Sequence, residues 1–256
     1  MTYFLTVLGF VFVYMTLWFV VSLFLKRNDI ADIAWGLGFI ITAFFAFYIS
    51  EEFAIRQVVV LSLVTLWGLR LSLHIYFRNR GKKEDYRYAL WRKAWGKWFF
   101  VRSYFQVYIF QGVMLFLIIS PVLVISRFAG PELGLLDVLG VLVWWVGFFF
   151  ESVGDMQLTR FLKDKKNKGK LMESGLWKYT RHPNYFGEVL GWWGIFVIAL
   201  SVPYGIFSVV GPLTITILIL KVSGIPLLEK KMKEHPDFEI YRKRVSVFLP
   251  LPPKKS

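Results

Sequence analysis

The feature that most limits the fold of this chain is a series of seven long apolar segments. They lie at residues 3–25, 33–50, 57–77, 105–125, 135–154, 185–202 and 205–223. A helix needs about 20 mostly apolar residues to cross a hydrocarbon core about 30 Å thick, and each segment approaches or reaches that length. The pattern therefore predicts an all-α integral membrane protein with about seven transmembrane helices.

The basic residues are concentrated on alternate connections between these segments. Of the 31 Lys and Arg residues, 28 lie at 26–27, 78–104, 155–183 and 221–256. With seven spans, all four regions fall on one side of the membrane, and short connections rich in Lys and Arg stay in the cytosol. We therefore expect the N-terminus outside and the C-terminus in the cytosol. Topology and anionic headgroups explain most of the net charge of +14 without nucleic acid as a partner.

Several kinds of site are excluded by what the chain lacks. It has no cysteine, so thiolate metal sites and Cys nucleophiles are absent. Its three histidines, His74, His182 and His235, form no HExxH or similar ligand pattern, and we predict no metal site. No GxGxxG motif follows a strand and no P-loop occurs, so any nucleotide must be held by helices.

The most informative motif is GLWKYTRHPNYFGE at 175–188, where a basic connection passes into the sixth apolar segment. Helical spacing places one set of its residues on a single face: Arg181, Asn184, Tyr185, Glu188 and, further on, Trp192. The first turn of a helix beside a basic loop favours phosphate, and Glu188 lies deep enough to accept hydrogen bonds from an amide-bearing ring. This arrangement suits a dinucleotide. The alternative is helix capping with a structural ion pair.

The fifth segment carries a matching polar stripe near its cytosolic end. Glu151, Asp155 and Thr159 are spaced by four residues, with Gln157 and Arg160 nearby. Charged residues at membrane depth are costly and usually face a partner or a cavity. We therefore expect these acids to point into the helix bundle.

A third stripe occupies the third segment, where Arg70, His74 and Arg78 are also spaced by four. Arg78 can extend to the interface, whereas Arg70 lies deeper and needs a counter-charge. Asp32, early in the second segment, is the candidate for that role. A single histidine on a helix is more often structural than catalytic.

Local signals predict where the helices bend or end. The polar segment 78–98 contains Trp and Tyr residues suited to the interface, and its second half predicts a short amphipathic helix on the membrane surface. Ser120-Pro121 predicts a kink in the fourth span, and Pro226 a bend or end of the seventh. Residues 163–173 predict a loop.

Four further stretches join the motif at 175–188 in resembling a known group of proteins: DIAWGLGF at 32–39, WGLRLSLH at 67–74, NRGKKEDYRY at 79–88 and VSGIPLLE at 222–229. Together they resemble the steroid 5-alpha-reductase and sterol reductase superfamily, in particular its bacterial branch of uncharacterised membrane proteins. The resemblance implies an integral membrane oxidoreductase that uses NADPH to reduce an activated C=C bond of a lipid or steroid-like substrate. It also implies one transmembrane domain over 1–256, with a cofactor half at about 135–256, in a bacterial inner membrane.

The resemblance also assigns cofactor contacts by motif. They are Asn184 and Glu188, flanked by Arg181, His182 and Tyr185, with Asp155 and Gln157 on the fifth span and Glu229, Tyr241 and Arg242 near the C-terminus. On charge alone, we add Arg160 and Lys163 as phosphate ligands.

The catalytic residues are less directly indicated. Steroid reductases hold the substrate carbonyl with a Gln-Glu pair and a Tyr, which fall near 32–35 and 67–70, and this chain has no Tyr there. Our hypothesis uses Asp32 or Tyr86, or water, as the proton source. Arg70 would stabilise the enolate-like charge.

A second family shares part of this pattern. The isoprenylcysteine carboxyl methyltransferases, which use S-adenosylmethionine, have a similar RHP-x-Y motif and a closing segment like YRKRVSVFLP at 241–250. Glu188 favours the reductases, since the methyltransferases generally lack an acid there. A third alternative is a lipid-binding or assembly protein without enzymatic activity. The expected partners are a lipid-like substrate and membrane lipids.

Overall fold

The regular structure consists of helices. The computed structural model describes residues 1–50, 53–128, 130 and 132–254, with Tyr86 described by its main chain only, and all regular elements in these residues are helical. Six helices are long and apolar enough to cross a membrane: Thr2–Leu25, Ile30–Tyr48, Ile55–Asn79, Arg87–Ile118, Leu135–Lys163 and Gly205–Met232. The predicted all-α class and multi-pass membrane character are thereby confirmed.

The chain folds as two compact units. The first contains Met1–Leu133 with Val202–Val210, and the second contains Gly134–Ser201 with Gly211–Ser256. The second unit therefore begins at nearly the same residue as the predicted cofactor half.

The first unit contains seven α-helices. They are α1 Thr2–Leu25, α2 Ile30–Tyr48, α3 Ile55–Asn79, α4 Tyr86–Trp95, α5 Phe99–Ser103, α6 Phe110–Ile118 and α7 Ser120–Phe128. A 3-10 turn, Gly96–Trp98, joins α4 to α5, and a π-helical segment, Tyr104–Ile109, joins α5 to α6. The helix is interrupted at Ile119, between α6 and α7 and just before Pro121, which matches the kink predicted at that site.

The helices α2 and α3 approach each other closely because both carry glycine at their crossing. A Cβ atom on Gly68 would lie 2.7 Å from the carbonyl oxygen of Gly36, closer than real side chains come. Aromatic residues fill the space nearby, with the rings of Phe39 and Trp67 edge to face at 5.2 Å between centroids. Tyr14 on α1 donates a 2.8 Å hydrogen bond to the carbonyl of Ala34.

The second unit contains α8 Leu135–Lys163, α9 Pro183–Ala199, all but the first residue of α10 Val210–Ile217, α11 Ile225–Met232 and α12 Phe238–Arg244. Residues 164–182, between α8 and α9, hold only two short 3-10 turns, Lys165–Asn167 and Gly175–Lys178, consistent with the predicted loop. A π-helical segment, Leu218–Val222, ends at Ser223, and Pro226 lies in the first turn of α11. The predicted break near Pro226 is confirmed.

Glycines also set the spacing of α8 and α9. Gly140, Gly147 and Gly154 recur every seven residues on α8, and added Cβ atoms there would meet the main chain of α9. At Gly147, for example, the Cβ would lie 2.5 Å from the amide nitrogen of Gly191 and 2.6 Å from the carbonyl oxygen of Gly187. Small residues allow such close packing between helices in lipid. This contact fixes which residues of α8 face the start of α9.

Candidate functional site

The start of α9 is held in place by the C-terminal segment of the chain. Pro183 occupies the first turn, where a missing N–H costs nothing. Just before it, the amide of Arg181 donates to the carbonyl of Ser246 at 2.9 Å, and the hydroxyl of Thr180 donates to that of Phe248 at 2.9 Å. Residues 179–181 therefore run beside residues 246–251, which fixes the direction of the Arg181 and His182 side chains.

Arg181 is a buried cation whose donors are already occupied. Its Nε lies 2.7 Å from Oε1 of Glu229, and its Nη1 donates to the carbonyls of Val245 at 2.6 Å and Arg242 at 3.2 Å. The side chain is 6% exposed and that of Glu229 is 16% exposed. The guanidinium thus ties α11 and the C-terminal segment to the start of α9.

His182 shares the same carboxylate and is almost completely buried. Its Nε2 lies 3.3 Å from Oε1 of Glu229, and since an ionised carboxylate only accepts hydrogen bonds, Nε2 carries the proton. Burial lowers the pKa of His182 below its ordinary value, although Glu229 opposes this effect. The neutral ring therefore has a lone pair on Nδ1. That atom is buried and has no hydrogen-bond partner among the described residues.

Tyr185 covers one face of this histidine. The two ring centroids lie 5.7 Å apart at an interplanar angle of 21°. We refer to Arg181, His182, Tyr185 and Glu229 as the α9 cluster.

An amide lies one turn further along α9 and pairs with α8. Nδ2 of Asn184 donates to Oδ1 of Asp155 at 3.0 Å, which orients its Oδ1 away from the carboxylate. That oxygen is buried and unpaired within the described residues. Glu151, one turn before Asp155, is 3% exposed, and Glu188, one turn after Asn184, is half-buried. Asp155 thus points into the helix bundle, as predicted, and its partner there is Asn184 on α9.

Two other predicted residues stabilise the 3-10 turn before α9. Gln157 accepts a 3.0 Å hydrogen bond from the amide of Leu176. Tyr241 donates to the carbonyl of Trp177 at 2.7 Å, and burial raises the pKa of this tyrosine. The indole of Trp177 in turn donates to the carbonyl of Gly154 at 3.2 Å.

The remaining predicted cofactor ligands are exposed. Arg160 and Lys163 lie on the last turn of α8 with their side chains in the open. Arg242 is 45% exposed and lies 3.4 Å from Glu239 on the surface of α12. These three residues are accessible to an anionic group from the surroundings of the second unit.

The first unit has its own buried polar site, centred on Asp32. Its Oδ1 accepts a hydrogen bond from the hydroxyl of Tyr88 at 2.9 Å, and its Oδ2 lies 3.0 Å from Nη2 of Arg87. The carboxylate is thus paired with Arg87, whereas the sequence suggested Arg70 as its counter-charge. Arg70 lies half-buried on α3. The side chain of Tyr86 lies outside the described part of the structure.

Further ion pairs surround this site and fasten the segment 84–92 to the turn before α2. Asp29 accepts from Arg27 at 2.7 Å and from the amide of Asp85 at 3.2 Å. Glu84 accepts from the amide of Asn28 at 2.7 Å. Burial raises the pKa of Asp85, but hydrogen bonds from Arg87 outweigh this effect and hold it below the ordinary value.

Sequence reasoning missed Arg87 and Tyr88 because it chose the first tyrosine of the motif EDYRY. Asp85 begins α4 as its N-cap residue, and its carboxylate accepts from the amide of Arg87. An N-cap at Asp85 was a usable signal in the sequence, since the start of a helix fixes which of its residues share a face. Trp177 was also missed, and no feature of its local sequence distinguished it from the other tryptophans.

An apolar cavity of about 440 Å³ lies in the first unit between α1 and the π-helical segment with α6. It is lined by Leu5, Leu8, Gly9, Val11, Phe12, Met15, Ile109, Gly112 and Val113. None of the predicted site residues contributes to it, so it offers hydrocarbon surface and no polar chemistry.

Comparison with known proteins identifies relatives without an established activity. The model of a family described as "Protein of unknown function (DUF1295)" matches residues 18–245. An uncharacterized protein of Schizosaccharomyces pombe is 28% identical over 266 residues, covering 90% of this chain and 74% of its own. This relative is from a yeast and gives no support to a bacterial membrane. No solved structure matches the chain significantly.

Proposed function

The chain belongs to the DUF1295 family of proteins of unknown function, and for it we propose an NADPH-dependent membrane reductase acting on an activated C=C bond of a lipid. The observation that carries this proposal is the pair of buried acceptors at the start of α9, His182 Nδ1 and Asn184 Oδ1. Leaving a buried acceptor unpaired costs about 1–3 kcal/mol, so two close together in sequence favour a ligand that supplies donors.

The hydrogen-bonding character of His182 Nδ1 and Asn184 Oδ1 indicates which part of a cofactor can bind at the start of α9. Both are acceptors, because His182 and Asn184 direct their N–H groups at Glu229 and Asp155. They suit the carboxamide N–H₂ or a ribose hydroxyl of NADPH and not its phosphates. Arg181, the phosphate ligand expected at this position, is occupied by Glu229 and main-chain carbonyls. We assign the phosphates instead to the exposed Arg160 and Lys163.

The residues of the second unit then have distinct roles. The Arg181–Glu229 pair positions His182, and the Asp155 carboxylate positions Asn184, so both acceptors are preorganised. Glu188 lies on α9 one turn deeper than Asn184 and adds a further acceptor for the same amide-bearing ring. When bound, NADPH would supply a hydride to the β-carbon of the activated double bond, and a proton would be added at the α-carbon.

The catalytic residues expected from the sequence belong to the first unit, which holds the polar site around Asp32. Tyr88 donates its one hydroxyl proton to Asp32, and Arg87 supplies the balancing cation. The remaining guanidinium donors of Arg87 suit a carbonyl oxygen, and Asp32 is the proposed proton source. Tyr86 and Arg70 remain candidates for these roles.

The proposed topology has seven spans, with α9 as the sixth in order. Its 17 residues extend about 25 Å at 1.5 Å per residue, slightly less than a hydrocarbon core of about 30 Å. Close packing on the longer α8 allows a short helix to be accommodated in this way. The basic connections then lie in the cytosol with the C-terminus, and in a bacterial host this membrane would be the inner membrane.

One observation favours a second candidate, the S-adenosylmethionine-dependent methyltransferase. The unpaired acceptors of His182 and Asn184, with Asp155 bonded to Asn184 and Glu188 one turn further along α9, also suit the ammonium group of that cofactor, which presents three donors and a positive charge. The absence of a free cation in the α9 cluster fits it as well, since Arg181 is balanced by Glu229. Binding measurements separate the two candidates.

The test is calorimetric titration of the purified full-length protein in detergent with NADPH and, separately, with S-adenosylmethionine. We expect saturable NADPH binding that Asn184→Ala weakens about tenfold, the upper range for one lost hydrogen bond. Asn167→Ala is the matched control, because Asn167 caps the end of α8 and does not contact the α9 cluster. Glu188→Ala should weaken binding in the same direction.

The outcomes distinguish the candidates. Binding of S-adenosylmethionine alone would replace the reductase with the methyltransferase, and binding of neither would reject both. If NADPH binds, its oxidation followed by absorbance with extracted membrane lipids then tests the reaction. NADPH affinity that is equal in Asn184→Ala, Glu188→Ala and Asn167→Ala would place the cofactor elsewhere.

A further inference from the structure

The helix Arg87–Ile118 is too long to lie wholly within the hydrocarbon core. Its 32 residues would extend about 48 Å at 1.5 Å each, against a core of about 30 Å. About a third of it must therefore lie in the headgroup region or beyond. The start of the helix is the polar end, and α4 stops there at Gly96, whose φ of +49° breaks the helix before α5.

The two acids next to the start of this segment are neutralised by its arginines. Glu84 is paired with Arg92 at 3.0 Å, and Asp85 with Arg87 at 3.0 Å. The guanidinium of Arg92 also lies 4.0 Å from the ring centroid of Phe99. Neither acid is therefore left to balance the other basic residues nearby.

The exposed side chains on and around α4 keep their positive charge. Six exposed basic residues have no carboxylate partner in the described parts of the chain: Arg80, Lys82 and Lys83 before α4, Lys93 on it, Lys97 in the following 3-10 turn and Arg102 on α5. Two tryptophans accompany them, Trp91 at 39% and Trp98 at 56% exposure. The ammonium of Lys97 lies 6.0 Å from the ring centroid of Trp98. We refer to these eight residues, two on α4 and six next to it in the chain, as the α4 face.

We propose that the α4 face is a binding surface for anionic phospholipids. Six uncompensated cations complement phosphate headgroups, and basic residues next to a membrane attract anionic lipids. Indole rings favour the level of the headgroups, which places Trp91 and Trp98 beside the same phosphates. The face holds α4 along the membrane surface, at the turn that precedes the long span. This inference is independent of the proposed reductase activity.

The test uses the absence of cysteine from the chain. Ala94 is exposed on α4, so the full-length Ala94→Cys protein accepts a single fluorophore on the proposed surface. The labelled protein is reconstituted in phosphatidylcholine vesicles that contain a trace of nitroxide-labelled phosphatidylglycerol or nitroxide-labelled phosphatidylcholine. The ratio of quenching by the two lipids measures the local preference for an anionic headgroup.

We expect stronger quenching by the anionic lipid, and a ratio that falls towards one as salt is raised from 0.1 to 1 M, where the Debye length drops from about 10 to about 3 Å. Replacing Lys82, Lys83, Lys93 and Lys97 by Gln should lower the preference at least about tenfold, since each basic residue near the surface contributes about fivefold.

The matched control replaces four exposed lysines of the other unit, Lys165, Lys166, Lys168 and Lys170, by Gln. It changes the net charge equally and should leave the ratio at position 94 unchanged. Equal quenching by the two lipids in the unmodified chain, or an equal loss in the control, would overturn the proposal. Because the salt series uses the chain with its lysines intact, the result does not depend on folding of the variant.

Discussion

A single methyl group at the α8–α9 crossing provides the sharpest check of the fold. In Gly147→Ala, the new Cβ would lie 2.5 Å from the amide nitrogen of Gly191 and 2.6 Å from the carbonyl oxygen of Gly187. Both neighbours are main-chain atoms, so a change of rotamer cannot relieve the clash. The two helices must separate, and the contact between α8 and the start of α9 loosens with them.

The magnitude follows from two opposing effects. Overpacking a close-packed contact costs about 1–3 kcal/mol, and replacing Gly by Ala within a helix returns about 0.5–1 kcal/mol. Taking the middle of each range, the net destabilisation is about 1–2 kcal/mol. For a chain of this size, 1 kcal/mol shifts Tm by about 2–4 °C, so we expect a decrease of about 2–8 °C.

The assay is thermal unfolding of the purified protein in one detergent at one scan rate, with Gly9→Ala as the matched control. A Cβ at Gly9 on α1 meets no atom within 4 Å, so the same substitution should leave Tm unchanged or raise it. The reasoning fails if Gly147→Ala and Gly9→Ala shift Tm in the same direction. A Tm for Gly147→Ala within about one degree of the unchanged chain would also refute it.

Three further predictions concern the polar sites. Arg181→Met leaves the partly buried Glu229 without its cation and should destabilise the protein by up to about 3–5 kcal/mol, measured by denaturant or thermal unfolding. The pKa of His182 is lower in the folded protein than in the unfolded chain, so as pH falls the unfolded chain takes up this proton before the folded protein does. The free energy of unfolding should therefore decrease as pH drops below about 6.5. In His182→Gln, the pH dependence of Tm from this group should disappear. Tyr88→Phe removes the hydrogen bond to Asp32 and should cost about 1 kcal/mol in the same unfolding assay.

Each of these variants has a control elsewhere in the chain. Arg242→Met removes an exposed pair and should cost at most about 1 kcal/mol. His235→Gln tests whether the pH effect belongs to His182 alone. Tyr76→Phe removes the hydroxyl of an exposed tyrosine on α3 and should be nearly neutral. If a control variant changes stability as much as the variant it is paired with, the effect comes from losing that type of residue and not from losing the contact.

The membrane class was predictable because it depends on length and apolar content alone. Each long apolar run had to become a helix, since only a helix satisfies its own main-chain hydrogen bonds in lipid. Proline and glycine were equally informative, so the breaks near Pro121 and Pro226 were found where they were expected. The spacing of Glu151 and Asp155 also predicted that these acids point into the bundle, and Asp155 does so.

The partners of individual charges were not predictable from such patterns. Asp32 lies in the first turn of α2. Only the folded chain shows that Arg87 and Tyr88 contact its carboxylate. Arg181 was expected to bind phosphate, yet Glu229, 48 residues later, reaches its guanidinium. Contacts between residues so far apart in the chain depend on how helices dock, and local spacing carries no information about that.

The sequence by itself determined that this chain crosses a membrane as helices, where those helices break, and which residues share a face. The tertiary structure decided which buried polar groups neutralise one another and which acceptors are left over. Helix packing decides which groups pair, because the glycines spaced by seven on α8 set how closely α9 approaches. That distance brings Asp155 and Asn184 into hydrogen-bond contact.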